Sequence, residues 1–212
     1  MQKKIYLFAT SKSKDAINIK SLDVRFLKPE IDFSKYDYLI ITSKQTVKAL
    51  EQYDTKDFID IPALCVSPKT ANLYKEFGGK ILAVGDGYGD NLAKSIKEYR
   101  SETKWLYLRA ELIASGFVQK SRDDGYKIDE KILYASECSK EILDVRVNDD
   151  STLIFTSPSS IECFLKNNTI HPDAKVIVIG TTTANCLPEG ISYIVSQNTS
   201  IESCVELAHN IK

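Results

Sequence analysis

The chain repeats its own pattern, and an internal duplication limits the available folds more than any single motif does. Tyr38-Leu39-Ile40-Ile41-Thr42-Ser43 leads through a polar stretch to Val47 and Leu50, and Leu153-Ile154-Phe155-Thr156-Ser157-Pro158 leads to Ile161, Phe164 and Leu165. Beyond the first comes Val66-Ser67-Pro68-Lys69-Thr70-Ala71-Asn72-Leu73. Beyond the second comes Ile179-Gly180-Thr181-Thr182-Thr183-Ala184-Asn185-Cys186-Leu187. A third pair aligns Lys4-Ile5-Tyr6-Leu7-Phe8-Ala9 with Trp105-Leu106-Tyr107-Leu108-Arg109-Ala110. These units are too long for a solenoid repeat. Two similar α/β domains explain them, and 212 residues suffice for two small domains.

Short apolar, β-branched runs alternate with helical patterns along the chain. Strands are expected at 4–9, 23–27, 37–42, 62–66, 80–84, 104–109, 131–135, 151–156, 174–179 and 191–195. Such alternation predicts βαβ units with parallel sheets flanked by helices. The repeat also predicts a discontinuous layout, because the second set of strands needs strand 4–9 to be complete. Residues 1–30 with 148–212 are expected to form one domain and residues 34–137 an inserted one. Crossings near 29–33 and 138–147 would make a two-segment hinge with an active-site cleft beside it.

Several helix starts are legible. Ser67-Pro68 and Ser157-Pro158 read as an N-cap serine followed by proline at the first helical position, where its missing N–H costs nothing. Ser43 reads as the cap of the helix carrying Val47 and Leu50, and Gly78 as the residue that ends the helix after Leu73. Thr42, Ser43, Ser67, Lys69, Thr70, Ser157, Ser159, Thr182 and Thr183 all fall where a strand gives way to a helix. In open α/β sheets that edge is where ligands bind, and helix N-termini there present free N–H groups to anions. Capping alone accounts for the serines. It does not account for Thr70 and Thr183, which recur one turn into their helices, where threonine is a mediocre choice.

Val84-Gly85-Asp86-Gly87-Tyr88-Gly89-Asp90 follows a strand and precedes a helix, the setting of a phosphate loop, but Asp90 stands where a dinucleotide fingerprint needs glycine. The expected reading is a turn, with Asp90 capping a helix at 91–97. Arg109 ends a strand outside any hydrophobic pattern, at an edge suited to anion contact. Lys44 and Lys69 sit in first helical turns, where a cation opposes the dipole. Tyr134 ends the run Ile132-Leu133-Tyr134 just before a proposed crossing.

Composition removes other classes. With 28 Lys and Arg against 29 Asp and Glu, the chain lacks the basic excess of a nucleic-acid surface. Two histidines, His171 and His209, cannot furnish the convergent clusters of zinc or Ser-His-Asp chemistry. Five scattered cysteines with no C-x-x-C spacing read as reduced core residues rather than disulfides, which implies a cytoplasmic address. No segment approaches a membrane span.

Together, Ile40-Ile41-Thr42-Ser43, Leu106-Tyr107-Leu108-Arg109, Ile132-Leu133-Tyr134, Phe155-Thr156-Ser157-Pro158-Ser159-Ser160 and Ile179-Gly180-Thr181-Thr182-Thr183-Ala184 resemble the uroporphyrinogen-III synthase family in order, over essentially the whole chain. Departures occur at Ser67, where the family often has glycine, at Thr46, where it has alanine, and at Lys12, where arginine is common.

The resemblance implies cyclisation of linear hydroxymethylbilane to uroporphyrinogen III, with inversion of the last pyrrole ring and loss of water. It implies no cofactor, a small-molecule substrate and a monomer, without nucleic-acid or membrane partners. Departure of the hydroxyl leaves an azafulvenium cation. The last ring attacks through its substituted α-carbon, and the spiro intermediate fragments and recloses at the other α-carbon. The substrate supplies nucleophile and electrophile, so the protein has to fold it and exclude water. By the resemblance Tyr134 matches the family's acid tyrosine, since a phenol can donate a proton to the leaving hydroxyl. Thr183 matches the threonine of the second helix motif with Thr70 its counterpart, and Ser43 and Ser157 match the helix-start serines. The competing class is a non-enzymatic, hinged two-domain protein that binds an anion or metabolite.

Overall fold

The computed structural model describes residues 3–113 and 115–211. In chain order its elements are β1 (Ile5–Ala9), β2 (Ile17–Lys20), β3 (Leu22–Phe26), β4 (Tyr38–Ile41), α1 (Lys44–Leu50), β5 (Ala63–Cys65), α2 (Pro68–Glu76), β6 (Ile81–Val84), α3 (Leu92–Ile96), β7 (Lys104–Ala110), α4 (Phe117–Asp123), β8 (Lys127–Cys138), α5 (Lys140–Asp144), β9 (Thr152–Phe155), α6 (Pro158–Leu165), β10 (Lys175–Val178), α7 (Thr181–Ala184), β11 (Tyr193–Val195) and α8 (Ile201–Asn210). Two compact units result, one of 1–23 with 137–212 and one of 24–136. The chain passes between them inside β3 and inside β8, whereas the sequence reading puts the crossings at 29–33 and 138–147. Residues 24–33 stay with the central unit partly because the Leu27 N–H donates to the Leu133 carbonyl at 2.8 Å.

The central unit orders its strands β3-β8-β7-β4-β5-β6, and β4 through β8 are parallel. The terminal unit orders them β11-β10-β9-β1-β2, all parallel. Central strands are covered on both faces, which is why Leu39-Ile40-Ile41 and Leu153-Ile154-Phe155 are unbroken apolar runs with no exposed surface. Each sheet divides its core into two layers. Leu39, Ile41, Leu106 and Leu108 face one way in the central unit, and Ile40, Trp105 and Tyr107 the other. The terminal unit repeats this with Tyr6, Phe8, Leu153 and Phe155 against Ile5, Leu7 and Ile154.

The pairing register corrects the third repeat alignment by one residue. Ile41 pairs with Leu108, and Phe155 pairs with Phe8. Since Ile41 and Phe155 are each followed by Thr-Ser, Phe8 corresponds to Leu108 rather than to Arg109. A one-residue slip turns every side chain to the other face. Leu7 and Ala9 are therefore the true counterparts of Tyr107 and Arg109.

The cysteines also depart from expectation. Cys138, at the end of β8, and Cys163, in α6, form a disulfide with Cα atoms 5.3 Å apart, while Cys65, Cys186 and Cys204 are free. Separated by 25 residues in sequence, the two thiols meet because α5 turns the chain back beside α6. Their spacing carried no signal of this, and the cysteine pattern no longer argues for a reducing compartment. Among the described residues no helix is long and apolar enough to cross a membrane.

Candidate functional site

In the central unit the chain moves outward from β4 to β5 and β6, then returns to β7 on the other side of β4. The carboxyl ends of β4 and β7 thus form the switch point where an open sheet leaves a crevice. A depression of about 260 Å³ opens there, lined by Thr42, Ser43, Tyr107, Ala110, Leu112 and Tyr134 among others. A neighbouring hollow of about 650 Å³ is lined by Ser43, Lys44, Ser67, Lys69 and Thr70. The two share Thr42, Ser43, Val66 and Gly87.

Tyr107 is the residue that sequence reasoning missed. Its hydroxyl lies 3.0 Å from Thr42 Oγ1. Burial pushes its phenol above the ordinary tyrosine value, with the Thr42 hydroxyl pulling the other way, so the group stays neutral and keeps its proton. The available signal was alternation along β7, which sends Trp105 and Tyr107 to one face and Leu106 and Leu108 to the other. Tyr134 lines the same depression from β8, its ring in the apolar cluster that holds Ile41, Val47 and Leu108.

The helix starts share one device. The hydroxyls of Ser43, Ser67 and Ser157 accept from the N–H groups of Gln45, Thr70 and Ser160 at 3.1, 3.3 and 3.2 Å. In α1, α2, α6 and α7 the third helical residue is also hydroxylic: Thr46, Thr70, Ser160 and Thr183, all buried. Thr46 donates to the Leu108 carbonyl at 3.1 Å, Thr70 shares a 3.2 Å contact with Ser67 Oγ, and Ser160 completes a capping box with Ser157. Helix architecture therefore accounts for the recurrence of Thr70. In the terminal unit Ser157 and Ser159 are half-buried at the start of α6, Thr156 donates to the Phe8 carbonyl at 3.0 Å, and Thr182 is exposed beside buried Thr183 in α7.

Two charged residues are occupied differently from expectation. Arg109 Nη1 donates to the carbonyls of Ala110 and Glu111 at 2.8 Å each. Its Nε lies 2.6 Å from a Glu130 oxygen, yet the N–H is not aimed along that line, so the contact is an ion pair rather than a directed hydrogen bond. Arg122 takes the other oxygen of Glu130 at 3.0 Å. Asp90 does not cap α3. It accepts from Ser115 Oγ at 2.7 Å and Gly116 N–H at 3.0 Å, which holds its carboxyl below the ordinary aspartate range. The glycine-rich loop is a structural turn. A Cβ on Gly85 would lie 2.8 Å from the Val66 carbonyl oxygen, and Gly87 has φ of +101°. Among the described residues no group of three or more His, Cys, Asp or Glu could hold a metal ion.

Hydroxyls gathered at the switch point of one of two similar parallel sheets place the chain among α/β proteins with a polar crevice at the carboxyl edge of a sheet. The chain matches the family described as uroporphyrinogen-III synthase HemD over residues 16–206, and it belongs to that family. The crystal structure of uroporphyrinogen-III synthetase from Helicobacter pylori is 24% identical, covers 100% of both chains and has a TM-score of 0.77, a likeness of fold. Wild-type uroporphyrinogen III synthase from Thermus thermophilus is 15% identical over 97% of this chain and 96% of its own, with a TM-score of 0.46. No functionally curated protein matches the chain.

Proposed function

We propose that this chain is a cyclising hydro-lyase acting on hydroxymethylbilane, with Tyr134 as its proton donor. Membership of the family over residues 16–206 carries the reaction. The geometry that supports the roles is the depression where Tyr134, Tyr107 and Thr42 meet. In this reading Tyr134 donates to the departing hydroxyl, which leaves as water. Tyr107, neutral and hydrogen-bonded to Thr42, offers a second dipole as positive charge develops on the bilane.

The acetate and propionate groups of the substrate are anionic at neutral pH. They suit the Lys69 and Ser159 N–H groups in the first turns of α2 and α6, the hydroxyls of Ser43, Ser67, Thr70, Ser157, Ser159, Thr182 and Thr183, and the ammonium of Lys69. Arg109 contributes indirectly, since its guanidinium is already engaged within the chain. A monomeric enzyme in the cytoplasm belongs to the same reading.

The deciding experiment supplies hydroxymethylbilane generated enzymatically in situ and separates the isomers of the product. Uncatalysed closure gives the type I isomer, so a type III product is expected. Type I alone, at the uncatalysed rate, would overturn the proposal.

A further inference from the structure

Arg109 has three partners, and two of them are the carbonyls of Ala110, the last residue of β7, and of Glu111, the first residue of the turn that follows. The Glu111 N–H of that turn donates to the Tyr134 carbonyl at 2.8 Å. At the far end, Asp90 holds Ser115 and Gly116. Glu111 on one side of Leu112 and Ile113, and Ser115 and Gly116 on the other, are therefore held by hydrogen bonds that involve a charged group, and these are stronger than neutral ones. Between the fastenings stand Leu112, 84% exposed, and Ile113, 40% exposed. A leucine so exposed adds nothing to the core, and folding gives no reason to restrain it. Both residues line the depression that holds Tyr107 and Tyr134.

We propose that Arg109 is a positioning residue, which holds the turn after β7 so that Leu112 and Ile113 form an apolar wall against the reacting end of the substrate. The inference rests on the synthase reading and adds what that reading lacks, a means of keeping water from the cation. The chemistry balances simply. Departure of the hydroxyl breaks the C–O bond, and the oxygen leaves as water with the donated proton. If solvent reaches the azafulvenium carbon, a water oxygen forms a new C–O bond and loses a proton. Hydroxymethylbilane is then regenerated and a turnover is wasted.

The wasted step can be counted. With the parent protein in ¹⁸O-water, recovered hydroxymethylbilane should carry label only at the enzyme-free background. Leu112→Ser leaves the core untouched and should fold with an unchanged midpoint. Losing one apolar contact of this size is worth roughly tenfold in kcat/KM, and label in recovered substrate should rise severalfold per turnover. Arg109→Lys keeps the charge but cannot serve two carbonyls and Glu130 together, because it lacks the planar fork. It should show the same exchange while KM changes little. Parental turnover and background exchange in Leu112→Ser overturn the inference. Slow turnover without added exchange in both variants also overturns it, since it marks a merely structural role. Failure of the synthase reading is seen separately, as the absence of type III product from the parent.

Discussion

Replacing Tyr134 with phenylalanine tests the assigned chemistry with little disturbance of the fold. The ring lies in a core cluster and is 8% exposed, and phenylalanine fills the same volume. No group of the described chain hydrogen-bonds the Tyr134 hydroxyl, so its removal strands no partner, and folding should change by no more than about 0.5 kcal/mol. The effect on rate should be larger. Proton donation by a positioned acid is typically worth about 10²–10⁴-fold, but this substrate ionises readily, so a loss of about 10–100-fold in kcat is expected. That corresponds to about 1.4–2.7 kcal/mol of transition-state stabilisation. Tyr107→Phe is the useful contrast. It deletes the hydroxyl that meets Thr42 at 3.0 Å in a buried setting, so it should cost about 1 kcal/mol of stability as well as rate. If both phenols act on one developing charge, the double variant should lose less than the product of the single losses. Initial rates and isomer ratios, with urea midpoints measured in parallel, decide the matter. Parental kcat and undiminished type III product from Tyr134→Phe would refute the argument and leave catalysis to substrate folding and backbone dipoles.

Two further outcomes follow from the structure. The Cys138–Cys163 bridge closes a loop of sequence separation 25, so its reduction should cost about 3 kcal/mol of stability. The denaturation midpoint should fall in dithiothreitol, and alkylation of the protein unfolded in denaturant should label three cysteines before reduction and five after. An unchanged midpoint with five thiols labelled at the outset would exclude the bridge. Asp90 supports the turn after β7 as a carboxylate. Because its folded value is lowered, chiefly by the Ser115 hydroxyl, that support is complete above the ordinary aspartate value of 3.8 and is lost as the pH falls through the lower folded value. Asp90→Asn should thus flatten this part of the acid limb of stability, and identical acid limbs would contradict the assignment.

The features legible in the sequence are those with a strong local cause. Strands buried on both faces are apolar runs, and the serines before α1, α2 and α6 cap in the way their spacing predicts. What escaped depends on distant partners. β2 is an edge strand of Ile17-Asn18-Ile19-Lys20, half-exposed and too polar to stand out. Asp90 looks like a cap for the helix beside it, but its partners lie 25 and 26 residues away. Arg109 looks free for an anion because Glu130 belongs to the neighbouring strand, and nothing local marks that pairing. In the candidate site, Thr42, Ser43, Ser67, Lys69 and Thr70 do converge on adjoining hollows of one unit. The third repeat pair set Tyr107 opposite Tyr6, whereas the strand register sets Leu7 in its place, so the phenol of β7 has no counterpart in β1.

The corrected register separates what was duplicated from what was not. Both units keep the parallel sheet, the Thr-Ser after the central strand and the hydroxyl at the third helical position. Only the central unit carries the phenol and guanidinium of β7, since the terminal unit has Leu7 and Ala9 in their places. β2, the counterpart of β8, holds no tyrosine. Duplication thus preserves the helix-start hydroxyls proposed to hold anions and leaves the phenols proposed to act on the bilane in one unit, which predicts different kinetic signatures for the two units. Ser157→Ala removes half of a capping box and should destabilise by about 1 kcal/mol. Its loss would weaken carboxylate binding equally in ground and transition states, so KM should rise with kcat nearly constant. Tyr134→Phe should do the reverse. If Ser157→Ala lowered kcat as deeply as Tyr134→Phe with KM unchanged, the terminal unit would share in the chemistry and the division of labour would be wrong.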